Sequence, residues 1–277
     1  MTRLTRRIIF YIAIFLFLSV GYVAVLYAQG YKYDFEEGEF LKTGAFYLKS
    51  NTSAEVYVDG EFAGKTSFLT SSFSQDRLLP GQYTVQVKKD GYSTWQKNIG
   101  VDEGMVTDFP RVMILPIDGE DANDLIVEIE TLFLPLVTPI PSPIKKSPQP
   151  TPMIIKSGDY QMLNKTLIDA RIEDQPKILA TNVLGFSLSE DKSKIVWWDD
   201  RQVWLMHLKD QDYQPYMKTG ERDLVLRLNK TIKNAAWFRD SDHVVLDMGS
   251  VASGSTVKHE YQIVEIDRRG GQNVIKI

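Results

Sequence analysis

The first strongly patterned part of the chain is an uncharged apolar run. Residues 8–28 contain no charged side chain, and Arg3, Arg6 and Arg7 directly precede them. As a helix rising about 1.5 Å per residue, the run would span roughly 31 Å, which matches the hydrocarbon core of a bilayer. The run therefore predicts a transmembrane helix. Residues 1–7 are expected in the cytoplasm, because arginines favour that side of the membrane.

A cleavable signal peptide is the alternative interpretation of the same run. Its apolar core is usually only about 7–15 residues long, with small residues before the cleavage site. The run here is longer, and Leu26-Tyr27-Ala28 would place bulky residues before the cut. We therefore expect a retained single-pass anchor in the cell membrane, with the bulk of the chain outside the cytoplasm.

Alternation of apolar and polar residues dominates residues 43–116, after a polar spacer at residues 29–42. Within residues 83–87, apolar side chains occupy every second position, as in a strand with one buried face. Asp59-Gly60 between two apolar runs predicts a hairpin turn, because such turns need positive φ at their central residues. Four or five short strands of this kind predict a small β-sandwich.

Four short motifs in this region resemble the PEGA domain family. They are Val56-Tyr57-Val58-Asp59-Gly60, Gly64-Lys65-Thr66, Pro80-Gly81-Gln82-Tyr83 and Gly91-Tyr92-Ser93-Thr94-Trp95. The sequence departs from the family pattern at residues 50–54, where only Ala54 of Pro-Glu-Gly-Ala remains, and at Ser67, which replaces a proline. The resemblance implies a β-sandwich module of bacterial surface and envelope proteins. It supplies no catalytic residues.

Three aromatic residues of this region are candidate binding residues: Tyr57, Tyr92 and Trp95. Their rings would form a surface on which a glycan stacks. The alternative is that they pack inside the domain, which we favour because large aromatic side chains readily fill small β cores.

Residues 117–155 become irregular and then rich in proline. Seven prolines fall within residues 135–152, which favours an extended, semi-rigid linker between two folded regions.

Residues 156–277 contain a strand pattern that recurs after about fifty residues. An aromatic strand, an Asp/Ser turn and two further strands occupy residues 186–208, and residues 236–267 repeat this order. The order is typical of propeller blades, and the stretches resemble the blades of Tol-type and WD-type propellers.

Only about two such blades are visible in the sequence, which predicts a partial β-propeller-like region that is truncated or forms an open arc. We expect its terminal apolar face to be uncovered and to contain Trp197 or Trp198, together with Trp204 and Trp237. The fold class expected for the whole chain is all-β behind one transmembrane helix.

Composition excludes several kinds of chemistry. The chain has no cysteine, which rules out disulfides, thiol nucleophiles and thiolate metal sites. Without the three N-terminal arginines, 29 basic residues face 36 acidic ones, a net charge of −7. Such an acidic surface does not favour nucleic acid as a partner.

The remaining polar motifs do not predict an active site. His207, His243 and His259 lack the spacing of a zinc motif. Paired carboxylates at Glu36-Glu37, Asp199-Asp200 and Asp240/Asp242 are more typical of turns than of catalysis. Residues 250–255 are interpreted as a flexible loop, and neither a metal nor a cofactor is expected.

These patterns predict a membrane-anchored envelope protein that is not an enzyme. Its β-sandwich and propeller-like modules would bind a cell-wall polysaccharide or an envelope protein. Two alternatives stay open. The chain would be an accessory subunit or truncated form of an envelope enzyme, whose active site lies on missing blades or on a partner. Otherwise it would be a passive surface spacer.

Overall fold

A computed structural model describes residues 2–134, 154–171, 176–253 and 256–277. The chain divides into two compact units. The first comprises Met1–Val87 and Asn98–Met113, and the second comprises Lys88–Lys97 and Ile114–Ile277. The proline cluster of the predicted linker, at residues 135–152, lies outside the described residues.

Helix α1 runs from Arg3 to Ala28 and buries none of its side chains. The hydroxyl oxygen of Thr2 accepts a hydrogen bond from the Thr5 N–H and caps the first turn. The helix is long and apolar enough to cross a membrane or to serve as a signal sequence. It also includes most of residues 1–7, because nothing in Arg3–Arg7 interrupts a helix.

The predicted spacer at residues 29–42 forms a hairpin of strands β1 (Tyr31–Asp34) and β2 (Glu39–Lys42). The Tyr33 ring contacts the rings of Phe35 and Phe40 edge-on, each at a centroid distance of 5.1 Å. Two four-residue strands rich in charge carry too little alternation to be recognised in the sequence.

The strand-rich region of residues 43–112 is composed of strands, as predicted, but it forms two sheets with seven strands instead of the four or five expected. One has the order β6-β3-β9 and the other β5-β4-β7-β8. The bounds are β3 (Gly44–Ser50), β4 (Glu55–Val58), β5 (Glu61–Lys65), β6 (Ser72–Leu78), β7 (Gly81–Lys88), β8 (Trp95–Val101) and β9 (Val106–Val112). Alternate residues of β3 are buried, including Phe46 and Leu48. Strands β3 and β9 pair in parallel.

The hairpin turn predicted at Asp59-Gly60 is confirmed. It joins β4 to β5, and the two residues have φ values of 50° and 84°. Positive φ at both central positions is the geometry that two-residue hairpins favour.

Residues 119–133, assigned from sequence to an irregular linker, form helix α2 (Gly119–Phe133). That part of the prediction is wrong. Glu120 and Asp121 occupy the first turn, where carboxylates interact favourably with the helix dipole. Leu125 and Ile129, four residues apart, are buried on one face. The proline cluster directly after the helix dominated the composition of the region and concealed this spacing.

The second unit contains three four-stranded antiparallel sheets in which each strand pairs with the next along the chain. The first C-terminal sheet consists of β10 (Ile154–Ser157), β11 (Tyr160–Leu163), β12 (Thr166–Asp169) and β13 (Lys177–Ala180). The second consists of β14 (Gly185–Leu188), β15 (Lys194–Trp198), β16 (Gln202–His207) and β17 (Arg222–Arg227). The third consists of β18 (Asn234–Trp237), β19 (His243–Ser253), β20 (Thr256–Glu265) and β21 (Val274–Lys276).

Two apolar cores lie between consecutive C-terminal sheets. Trp197 and Trp204 pack with Leu167 and Leu179 between the first and second sheets. Trp198 packs with residues of the second and third sheets in the other core. The expectation that Trp197 or Trp198 lies on an uncovered face is therefore wrong. Each is only 5% exposed, because a neighbouring sheet covers it.

The outer face of the third sheet is covered by two segments that precede it in the chain. Val245, Ile263 and Tyr261 lie on this face and are buried. The Phe133 ring at the end of α2 stacks on Tyr261 at a centroid distance of 6.0 Å. Trp95, in the Lys88–Lys97 segment, donates a hydrogen bond to Glu265 at the end of β20. The described residues form neither a closed barrel nor a closed propeller.

Candidate functional site

The three C-terminal sheets place ionisable or hydroxyl-bearing side chains at the same two positions. In each sheet the first residue of the second strand pairs with the last residue of the third. The pairs are Tyr160 with Asp169, Lys194 with His207, and His243 with Glu265. All six side chains are buried. Burial of polar groups costs free energy unless they are paired, so their partners define what these positions do.

Lys194 connects the second C-terminal sheet to the third. Its ammonium group forms a buried ion pair with Asp242 and donates to the Ser241 carbonyl oxygen at 3.0 Å. The Tyr213 hydroxyl donates to the Asp242 carboxylate at 2.8 Å. The turn prediction for Asp240/Asp242 is incomplete, because Asp242 is also the carboxylate that neutralises this lysine.

Lys97 also forms a buried ion pair with the third C-terminal sheet. Its ammonium group lies 3.2 Å from Oε1 of Glu265 and 3.9 Å from Oδ1 of Asp267. Oε2 of Glu265 accepts hydrogen bonds from Trp95 Nε1 at 3.0 Å and from Asn273 Nδ2 at 2.9 Å. The carboxylate is fully engaged, so this cluster joins chain segments and leaves no free group for chemistry.

The electrostatics of the buried histidines differ. Burial lowers the pKa of His207, and the Lys194 ammonium lowers it further. Burial also opposes the charged form of His243, but the Asp240 hydrogen bond and nearby carboxylates outweigh it and raise the pKa. Burial raises the pKa of Glu265, and the charges of Lys97 and His243 oppose this only in part.

The three predicted binding aromatics differ in how far they are buried. Trp95 is 2% exposed, so the proposal that its ring stacks on a glycan is wrong. Tyr57 is half-buried, donates to Glu55 Oε2 at 2.9 Å and lies in the first unit. Tyr92 is half-buried in the second unit, and the Lys89 ammonium lies 3.9 Å from its ring centroid. The packing alternative accounts for Trp95, whose indole N–H has a buried partner.

The residues predicted to form a loop at 250–255 lie largely in the long β19–β20 hairpin, and residues 254–255 are outside the described residues. Ser250 Oγ lies 3.1 Å from His259 Nε2, and His259 Nδ1 lies 3.8 Å from Asp247 Oδ1. This order matches a nucleophile, a base and an orienting carboxylate. However, the last distance exceeds a hydrogen bond, and Ser250 and His259 are exposed.

The remaining candidates take structural positions. Asp199 Oδ1 accepts hydrogen bonds from the N–H groups of Arg201 and Gln202, as predicted for a turn. Glu36 donates its N–H to Asp34, also within a turn. Within the described parts of the chain, no three His, Cys, Asp or Glu side chains are grouped to hold a metal ion.

A cleft of about 220 Å³ opens between the first and second C-terminal sheets. It is lined by Leu179, Ala180, Thr181, Val183, Trp197, Asp199, Trp204 and Arg222. Trp197 and Trp204 are cross-strand neighbours whose rings stack, with centroids 6.5 Å apart and planes 7° apart. The Arg222 guanidinium lies 5.9 Å from the Trp197 ring centroid. Apolar walls with a few polar groups are typical of ligand sites.

The sequence does not predict this cleft. It places Trp204 only on an expected uncovered face and gives no sign of a role for Arg222. A correct prediction of the register between β15 and β16 would have shown that Trp197 and Trp204 are cross-strand neighbours.

Comparison with known families gives one match. The PEGA domain model matches residues 46–112, about a quarter of the chain. This confirms the resemblance drawn from the four motifs. The match includes Trp95 and Lys97 but none of the three C-terminal sheets. No curated protein matches the chain.

Proposed function

We propose that this protein is a non-catalytic, single-pass membrane protein of the bacterial cell envelope. Its β modules lie outside the cytoplasm and bind a cell-wall polysaccharide or another envelope protein. The observation that carries the proposal is helix α1, whose apolar side chains are all left unburied while the sheets have buried cores of their own. A bilayer is the environment that would cover such a surface.

The orientation part of the proposal is supported by Arg3, Arg6 and Arg7, which precede the apolar run without any acidic residue among them. Alkaline phosphatase, active only after export, is fused to the C-terminus of the full chain, and β-galactosidase is fused in a parallel strain. We expect phosphatase activity alone. Replacing the three arginines by serine should reduce it. An active β-galactosidase with an inactive phosphatase would overturn the orientation.

We also propose that the three C-terminal sheets are blades of a propeller-like array. Three features support this: each sheet is a four-stranded meander, consecutive sheets share an apolar core, and the same strand positions carry buried polar pairs. Stacked repeats that bury their faces against neighbours leave loops and clefts along one edge, which suits a binding surface.

Binding is tested with the full chain in detergent micelles. Purified peptidoglycan sacculi and chitin are incubated with the protein and sedimented. Retention on sacculi but not on chitin supports the binding proposal, and retention on neither favours a passive spacer.

Hydrolysis is the second candidate, and the Ser250–His259 hydrogen bond is the observation that favours it. A fluorophosphonate probe labels serines activated by a neighbouring base. We expect no labelling of Ser250, because the serine is exposed and Asp247 does not hydrogen-bond His259. Covalent modification located at Ser250 by mass spectrometry, and absent in Ser250→Ala, would establish the enzyme alternative.

A further inference from the structure

The cleft between the first and second C-terminal sheets combines stacked indole rings, one cation and one carboxylate. Its volume of about 220 Å³ is below the roughly 300–1,000 Å³ of sites that enclose a drug-sized ligand. The volume therefore suits a single ring or a single residue of a polymer.

The cation of the cleft is not neutralised by a neighbouring acid. Arg222 donates from Nη1 to the Leu179 carbonyl oxygen at 2.8 Å, and no ion pair of Arg222 with a carboxylate occurs among the described residues. The other N–H groups of its guanidinium form a planar fork that matches the two oxygens of a carboxylate. The cleft thus has a positive charge available for an anionic ligand.

The carboxylate of the cleft sets a second condition. Asp199 uses Oδ1 for two backbone N–H groups, and Oδ2 accepts no hydrogen bond from the described residues. An anionic group placed beside Asp199 would be repelled, so a ligand must carry its negative charge toward Arg222 and offer hydrogen-bond donors to Asp199. A sugar acid meets both conditions, since it has one carboxylate and several hydroxyls.

The indole pair favours a sugar ring over a peptide terminus. Trp204 is half-buried, and its stacking on Trp197 holds the ring rigidly against the cleft. A rigid aromatic face buries a large area at little cost in conformational entropy. The flat C–H face of a pyranose is complementary to such a surface.

We propose that this cleft binds a carboxylate-bearing sugar unit, with the carboxylate on the Arg222 guanidinium, hydroxyls on Asp199 and the ring on Trp204. This inference rests on the proposed binding function and names its ligand class.

The test uses the full chain in detergent micelles, with binding followed by isothermal titration calorimetry. The probes are D-glucuronate, D-glucose and the dipeptide Ala-Ala. Glucuronate should bind about tenfold or more tightly than glucose, because a hydrogen bond to a charged group is stronger than a neutral one. Glucose should bind more tightly than Ala-Ala.

The variants separate the roles of the residues. Arg222→Gln should remove the preference for glucuronate and leave glucose affinity unchanged, while Arg222→Lys should keep part of the preference. Trp204→Leu should weaken both sugars. Arg227→Gln, on the same strand but outside the cleft, is the matched control and should behave as the unchanged protein. Circular dichroism checks that each variant is folded.

Four results would overturn the proposal: equal affinity for glucuronate and glucose, a preference that survives in Arg222→Gln, tighter binding of Ala-Ala than of either sugar, or no binding of any probe. These outcomes are distinguishable from failure of the proposed function, because export is read from the reporter fusions and cell-wall binding from sedimentation.

Discussion

The ammonium group of Lys97 lies 3.2 Å from the Glu265 carboxylate, with 0% and 5% of the two side chains exposed. The two residues are 168 positions apart in sequence and lie in the same compact unit. A buried charge is tolerated only when it is paired. The pair therefore ties the Lys88–Lys97 segment to the third C-terminal sheet.

Lys97→Met should lower the free energy of unfolding by about 3–5 kcal/mol, because it leaves the Glu265 carboxylate buried without its cation. The double variant Lys97→Met/Glu265→Gln should recover part of this loss, since the neutral amide oxygen can still accept from Trp95. Urea unfolding followed by tryptophan fluorescence measures the difference.

Lys65→Met is the matched control for that experiment. Its ammonium pairs with Glu55 at 3.1 Å, but the two side chains are 67% and 40% exposed. Exposed pairs contribute at most about 1 kcal/mol. An equal decrease in the free energy of unfolding for Lys65→Met and Lys97→Met would contradict the conclusion that burial makes the Lys97 ion pair more important for stability.

His207 should make the folded protein less stable as the pH decreases below neutrality. The pKa of His207 is lowered in the folded protein from the ordinary value of 6.5 by burial and by Lys194. Below pH 6.5 the unfolded chain therefore takes up a proton that the folded chain does not, so folding is disfavoured. The contribution of His207 is fully present above that pH and is lost as the pH falls toward the folded pKa.

Thermal melts of the unchanged protein and of His207→Gln between pH 7.5 and 5 measure this dependence. The melting temperature should fall less steeply in His207→Gln. His243 acts in the opposite direction, because its raised pKa gives stability below pH 6.5 that is lost as the pH rises. Parallel curves for the unchanged protein and His207→Gln would refute the assignment.

Gly60→Val should destabilise the β4–β5 hairpin by about 1 kcal/mol or more, because a β-branched residue resists positive φ. A Cβ at this position meets no atom within 4 Å, so the loss is conformational rather than steric. Gly60→Asn should destabilise the hairpin clearly less than Gly60→Val, because asparagine tolerates the left-handed region. Thermal unfolding of the two variants checks the order, and equal melting temperatures would contradict it.

The isolated fragment of residues 156–277 should associate and bind a hydrophobic dye. It lacks both α2 and the Lys88–Lys97 segment, so Val245, Ile263 and Tyr261 lose their cover. Exposed apolar faces of this kind favour association. Size-exclusion chromatography with dye fluorescence tests this against the full chain in detergent. A monodisperse monomer that binds no dye would show that the fragment covers its own face.

Local patterns in the sequence predicted much of the secondary structure. The uncharged run forms α1, alternation predicted four or five of the nine strands up to residue 112, and Asp59-Gly60 forms the expected turn. These features depend on residues that are close in sequence, and they can therefore be predicted without a structure. The β1–β2 hairpin and α2 were missed because charges or prolines nearby masked short periodic signals.

The sites could not be predicted because they depend on contacts between distant segments. Lys97 sits on the buried face of β8 between Trp95 and Ile99, where the alternation calls for an apolar residue. The sequence around its partner Glu265 gives no sign that this carboxylate is buried or that it pairs with Lys97. In the same way, Arg222 and Leu179 meet only because two sheets are adjacent, and nothing in either strand indicates the neighbour.

The cover on the third C-terminal sheet also fixes the order in which this protein can mature. Trp95 and Glu265 are separated by 170 residues, so their contact forms only after the ribosome has synthesised all the intervening strands. Until then the emerging chain holds Lys97 and the indole of Trp95 without their acceptor. Closing a loop of this length is also slow compared with local pairing. The nascent protein therefore passes through a stage in which Trp95 and Lys97 have been synthesised but the residue that pairs with both, Glu265, has not.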